Sequence, residues 1–280
     1  MSIEKVAAGG AAALALAAGG YGVSTLFTGG MPPYETLSST VENSPLKDYK
    51  HYFVDTSKDG NDDWWDWVYT NIYLKDVKGS NNENKPVTKF KDLKRKSEDE
   101  NKSLKKVCKD AYDVTDNANI SSTKPGDSDN GKFYERDVWR YCSEVLGSKP
   151  KFISAATQIQ TPEDSNKKAE NTLYSGTSKY GEKYKEKLVS IYEPSNKEFW
   201  DLKNQEFFGW SKKKGDKVDG SSATGTLFRD LHNKKDKSVK EVCLEAYKKD
   251  EDGSIAPKAD VFKFCSLSGV DSTTVVGAAG

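Results

Sequence analysis

The chain has 280 residues, of which 43 are basic and 43 acidic, giving a formal net charge of zero. That balance argues against a nucleic-acid binder, which carries a basic surplus on at least one domain, and it offers no long-range field to attract acidic substrates. With a mean hydropathy of −0.79, six Trp, fourteen Tyr and eleven Phe must build small aromatic cores that need a covalent staple.

Residues 6–34 carry no charge and are mostly Ala and Gly. The run is long enough for a span of about 20 residues. Lys5 precedes it and no lysine follows until Lys47, an asymmetry that puts the N-terminus inside and the remainder outside. Residues 1–34 are therefore read as a membrane anchor or signal segment, with a transmembrane helix touching the bilayer through residues 6–28. As a signal it offers Ala15-Leu16-Ala17 as a cleavage site. The expected location is the cell membrane, on its extracellular face, or secreted after cleavage. A plain Ala/Gly tail is the other reading.

The rest of the chain says one thing twice. Residues 102–112 read KSLKKVCKDAY and residues 237–247 read KSVKEVCLEAY, identical at seven of eleven positions and 135 apart. The same offset relates Tyr49 to Tyr184, Val54 to Val189, and Trp65-Asp66 to Trp200-Asp201. This organises the chain as helical module 1 (45–146), a polar linker (147–178), helical module 2 (179–268) and a loose tail (269–280). The fold class expected is all-α, two tandem small helical bundles.

Within module 1 the first segment, 47–55, reads as a helix with a short strand at 51–55 as the alternative; 180–192 is its counterpart, with 187–192 as the strand. Trp65, Val68, Tyr69, Ile72 and Tyr73 then fall on one helical face. In the second copy only Trp200, Phe207 and Phe208 of that stripe survive, and Lys203 and Asn204 replace its middle. Ser195 and Glu198 look like a capping box there. Leu104, Val107, Cys108, Ala111 and Tyr112 repeat the helical spacing, echoed by Val239, Val242, Cys243, Ala246 and Tyr247. Ser103 and Ser238 are the natural N-caps, and Ser238 with Glu241 makes a second capping box. A last helix starts at Asp137 or Asp260 as N-cap, buries Val138, Tyr141, Cys142 and Val145 or Val261, Phe264 and Cys265, and stops near Gly147 or Gly269. Trp65, Tyr112, Trp139, Trp200, Tyr247 and Phe264 are the expected structural core.

Four cysteines allow three pairings. A self-sufficient repeat selects Cys108–Cys142 and Cys243–Cys265, each closing a loop of two to three dozen residues. Four reduced core cysteines are the alternative, and no closely spaced Cys/His pair suggests zinc.

Chemistry is sparse. His51 and His232 are not duplicated and read as solvated. There is no phosphate-cradling loop, nucleophile elbow or zincin pattern, so no catalytic, cofactor or metal residue is assigned. Asp62-Asp63 and Glu198 beside Trp64-Trp65 and Trp200 offer a sugar-binding geometry, with Asp66 and Asp201 as further acids. Core Trp and helix-dipole Asp explain the same residues.

The layout resembles the large families of uncharacterised paralogous proteins of haemotropic mycoplasmas. The resemblance rests on the Met-Ser start, the Ala/Gly run of 7–30, Trp65-Asp66, Lys106-Val107-Cys108 with Ala111-Tyr112, and Trp139-Arg-Tyr-Cys142. The second copy departs, with Phe262-Lys-Phe264-Cys265. The resemblance implies a membrane-anchored or surface-exposed protein of diversified sequence and no catalytic residue. The function expected is thus a non-enzymatic, exported, membrane-anchored surface protein that contacts a host surface protein or glycan or serves antigenic display. A carbohydrate-active or carbohydrate-binding protein and an intracellular scaffold are the alternatives.

Overall fold

The apolar stripes become helices. In the computed structural model, α1 (Asp62–Val68) runs through a π-helical turn (Tyr69–Tyr73) into α2 (Leu74–Lys78), followed by α3 (Leu104–Tyr112) and α4 (Glu135–Cys142). The second copy has α5 (Tyr180–Lys183), α6 (Lys197–Phe207), α7 (Thr226–Lys234), α8 (Val239–Tyr247) and α9 (Lys258–Cys265). The structure describes residues 30–271 apart from 81–83, 127–130, 162–163, 216–217 and 252.

The expected all-α class is corrected. Two-residue strands β1 (Ile120–Ser121) and β2 (Phe133–Tyr134) pair in parallel, and β3 (Ile159–Thr161) pairs antiparallel with β4 (Asp164–Lys168), so the fold is mixed α/β. Strands this short carry no period-two pattern to read. Further extended backbone is recruited by pairing at long range. Val54 donates its N–H to Cys142 O at 3.0 Å and Val189 donates to Cys265 O at 3.0 Å. Outside this pair, Leu37 N–H reaches Phe53 O (2.8 Å) and Ile153 N–H reaches Leu188 O (3.0 Å). The helix and strand readings of the first segment both hold in part: a 3-10 turn (Lys47–Tyr52) and helix α5 come first, then extended chain.

The expected transmembrane helix and cell-membrane location are corrected too. No helix among the described residues is long and apolar enough to cross a membrane. The segment 6–28 on which that expectation stood lies outside the described residues, as do residues 272–280 of the tail, whose Asp271 still pairs with Lys187 (3.0 Å) and Lys258 (2.5 Å).

Both cysteine pairs selected by the repeat are bridged, Cys108 to Cys142 and Cys243 to Cys265, with Cα–Cα separations of 5.6 and 5.8 Å. Each bridge ties the repeated cysteine helix to the last helix of its module. Ser103 Oγ accepts from Lys106 N–H, and the box of Ser238 and Glu241 forms as expected. Three other local expectations change. Ser195 lies in a 3-10 turn (Pro194–Asn196) where its hydroxyl donates to Glu193 at 2.8 Å, so no box forms with Glu198. Asp137 and Asp260 sit inside the first turn of their helices and accept from preceding loops, at Val87 N–H (2.8 Å) and Gly225 N–H (2.6 Å). Gly147 and Gly269 lie beyond the helix ends at Cys142 and Cys265.

The stretch 147–178 is woven into the second module. Residues 151–153 supply its outer extended segment, and Glu170 is fully buried, accepting from Tyr174 Oη (2.7 Å) and Ile191 N–H (3.0 Å). One continuous hydrophobic cluster joins both modules and contains all six expected core residues.

Candidate functional site

The acid–tryptophan clusters fall where they cannot offer ring faces to a ligand. Trp64 and Trp65 on α1 are buried edge-to-face at 4.8 Å, and Trp200 on α6 is buried with its indole N–H on Ser190 O at 3.0 Å. Asp62 is held by Lys96 (2.8 Å) and Lys105 (2.6 Å), and Asp201 by Lys197 (2.5 Å). Asp63 and Asp66 are exposed. Glu198 lies against Gly147, where a Cβ would come within 2.9 Å of the Glu198 Cβ. That close approach requires glycine at the junction of the modules. Among the described residues no group of three or more His, Cys, Asp or Glu could hold a metal ion.

The junction is built where the repeat is broken. Lys203 stands at the position of Val68, and Glu144 at the position of Leu267 in the second copy. Lys213 Nζ donates to Glu144 Oε1 (2.7 Å) and to His51 O (2.8 Å), and lies 3.9 Å from Glu206 Oε1. Tyr34 Oη donates to Glu144 Oε2 at 2.8 Å, and Lys203 Nζ donates to Glu206 Oε2 at 3.1 Å. The Lys203 ammonium also lies 5.3 Å from the Tyr52 ring centroid, and Tyr52 meets Phe199 across the junction. All four charged side chains are buried. Backbone pairing clips the same place, with Tyr34 N–H on Lys212 O (3.3 Å) and Lys214 N–H on Tyr34 O (2.7 Å).

Burial raises the Glu144 pKa, and the Glu206 charge adds to that, against the pull of Lys213. For Lys203 burial works downward, but Glu206 and Tyr52 outweigh it and the pKa rises. His51 is half-buried here rather than solvated; burial, then the Lys203 and Lys213 charges, lower it to about 3. His232 is half-buried beside Phe207, ring centroids 6.1 Å apart.

Docking of the modules also shapes an open groove of about 900 Å3. One wall is β2 and the start of α4, presenting Tyr134, Glu135 and Arg136; the other is the inter-module segment, presenting Lys149, Lys151, Phe152 and Ala155. Asn84, Ser122, Lys124, Ser148, Pro150 and Ser195 complete the rim. Four cations thus face one carboxylate. Arg136 lies 5.2 Å from the Tyr134 ring centroid and is anchored on buried Asp137. Lys149 pairs with Glu135 (2.9 Å), and Lys151 lies 3.4 Å from buried Glu193. The pKa of Glu193 is about 2: burial works upward, but bonds from Thr157 and Ser195 and the Lys151 charge overcome it.

Of these groove residues only Ser195 stood out in the sequence, and there as a helix cap. The junction had one signal, Lys203 and Asn204 in place of Val68 and Tyr69 in the middle of the stripe. The groove had none, because its walls come from unrelated segments. No family model, curated protein or solved structure matches the chain.

Proposed function

We propose that this chain is a non-enzymatic recognition protein, in which two disulfide-stapled modules form one frame and a ligand lodges in the groove along their junction. The observation that carries this is the groove itself: about 900 Å3, lined by cations and by the half-buried rings of Tyr134 and Phe152. That size is that of a ligand site, and the two rings stand among polar and charged side chains that can orient a ligand. The parts shared between the modules are caps, bridges and core rings, which build a frame. The groove parts are single: Tyr134 and Arg136 correspond to Pro257 and Ala259 in the second copy. A frame kept while surfaces diverge suits recognition of a host molecule, and the resemblance to the mycoplasma paralogues implies such diversified sequence.

Ala155 is exposed in the groove wall, so Ala155→Trp fills the groove without touching the core. In an NMR fragment screen, shifts on binding should cluster at Tyr134, Lys149 and Phe152 and vanish in A155W. Binders that scatter over the surface, or that persist in A155W, would sink the proposal. So would turnover of any bound fragment.

A further inference from the structure

We infer that the groove takes a mildly acidic oligosaccharide, one carboxylated or sulfated sugar among neutral ones; this rests on the groove being the recognition site. Three observations lead there. First, the walls hold Lys124, Arg136, Lys149 and Lys151 against Glu135 alone, so an anionic group gains charge-assisted hydrogen bonds. Second, that positive field is tempered. Asp137 and Glu193 sit directly behind Arg136 and Lys151, and Glu135 engages Lys149. A densely charged chain such as an acidic peptide would meet these three carboxylates as well as the cations, whereas a ligand with one anionic group meets mostly the cations. Third, the rim holds side chains that pair with sugar hydroxyls, Asn84, Ser122 and Ser148, beside Pro150. Tyr134 and Phe152 are half-buried rings in the same walls, and an aromatic face packs on the apolar face of a pyranose as it does on other apolar surface. A volume of about 900 Å3 is at the upper end for a small-molecule site and has room for several sugar rings.

The test is titration calorimetry of the full chain, disulfides intact, with three probes. They are a sialylated trisaccharide, the neutral disaccharide that lacks its acidic sugar, and triglutamate. The trisaccharide should bind at least tenfold more tightly than the disaccharide or the peptide. Tenfold is about 1.4 kcal/mol, the scale of one charge-assisted hydrogen bond. The double variant Lys124→Ala with Lys151→Ala, two exposed side chains, should lose at least tenfold for the trisaccharide while its circular dichroism stays that of the folded parent. Phe152→Ala should weaken both sugars alike. Equal or tighter binding of triglutamate, lost in the Lys124/Lys151 variant, overturns the ligand class and leaves the groove as the site. Trisaccharide binding unchanged in that variant overturns the groove. Absence of binding by all three probes overturns the saccharide inference, and the fragment screen then decides the groove separately.

Discussion

Tyr112 and Tyr247 show why the repeated motif ends in tyrosine. Each phenol is buried, and its single O–H is shared between two backbone carbonyls. Tyr112 reaches Val54 O (3.0 Å) and Cys142 O (2.9 Å), and Tyr247 reaches Val189 O (2.8 Å) and Cys265 O (3.1 Å). One hydroxyl thus joins the extended segment to the end of the cysteine-bearing helix. Cys142 O and Cys265 O also take part in backbone pairing, but Val54 O and Val189 O accept from the phenol, so Tyr247→Phe should cost about 1–3 kcal/mol, the penalty for a buried acceptor left unsatisfied, measured by urea unfolding. A neutral result would show that the carbonyls, not the phenol, carry the joint. His51 gives a prediction in pH. Its folded pKa, about 3, lies below the ordinary 6.5 because burial and then Lys203 and Lys213 disfavour the imidazolium, and Lys50 adds to them. The unfolded state takes up a proton below pH 6.5 and the folded state does not until about pH 3. Stability from this residue is therefore present above pH 6.5 and is lost as pH falls toward 3. Glu144 shares the surroundings and titrates in both proteins. The unfolding free energy of wild type minus that of His51→Gln should therefore fall on acidification; a difference constant from pH 7.5 to 4 rules this out.

Among the elements, the two joints differ in kind. Within each module the cysteine helix and the last helix meet through an apolar face and a bridge: α3 with α4, and α8 with α9. Between modules the joint is ionic and buried. Removing one partner of a buried pair strands the other charge, so Lys213→Met alone should cost about 3–5 kcal/mol. Replacing both is gentler, and the molecule contains the apolar solution already, since Leu267 is the buried counterpart of Glu144. The double variant Glu144→Leu with Lys213→Met should recover most of the loss. If the two single costs simply add, Glu144 and Lys213 are not coupled. The last element-scale test concerns the bridges. Loops of 34 and 22 residues give a loss of about 3–4 kcal/mol for each on Cys→Ala replacement of the pair, slightly more for Cys108–Cys142. Chemical denaturation of the two variants checks both size and order.

At the scale of the molecule, the continuous core and the ionic joint make two repeats into one frame. Cys243→Ala with Cys265→Ala should therefore lower a single calorimetric transition. A second transition left at the wild-type temperature would show that module 1 melts alone. The groove belongs to this scale as well, because Tyr134 and Phe152 face one cavity only when the modules are docked.

Much of the module interior was legible in the sequence because local rules govern it. Helical spacing placed the stripes of α3 and α8, side-chain oxygens at Ser103 and Ser238 set their starts, and duplication chose one cysteine pairing out of three. These features need only neighbours along the chain or the comparison of one copy with the other. Apart from those within 51–55 and 187–192, the extended segments were hidden, since chain such as 35–37 and 151–153 becomes strand-like only by pairing with residues far along the sequence. Asp137 and Asp260 looked like caps because acceptor side chains near a helix start usually are; here the nearest unpaired N–H groups belonged to distant loops. The sequence by itself determined the two helical frames and their bridges, through periodicity and repetition. The tertiary structure alone decided the mixed fold, the buried Glu144–Lys213 joint and the groove, because each depends on groups that meet only when the chain has folded back on itself.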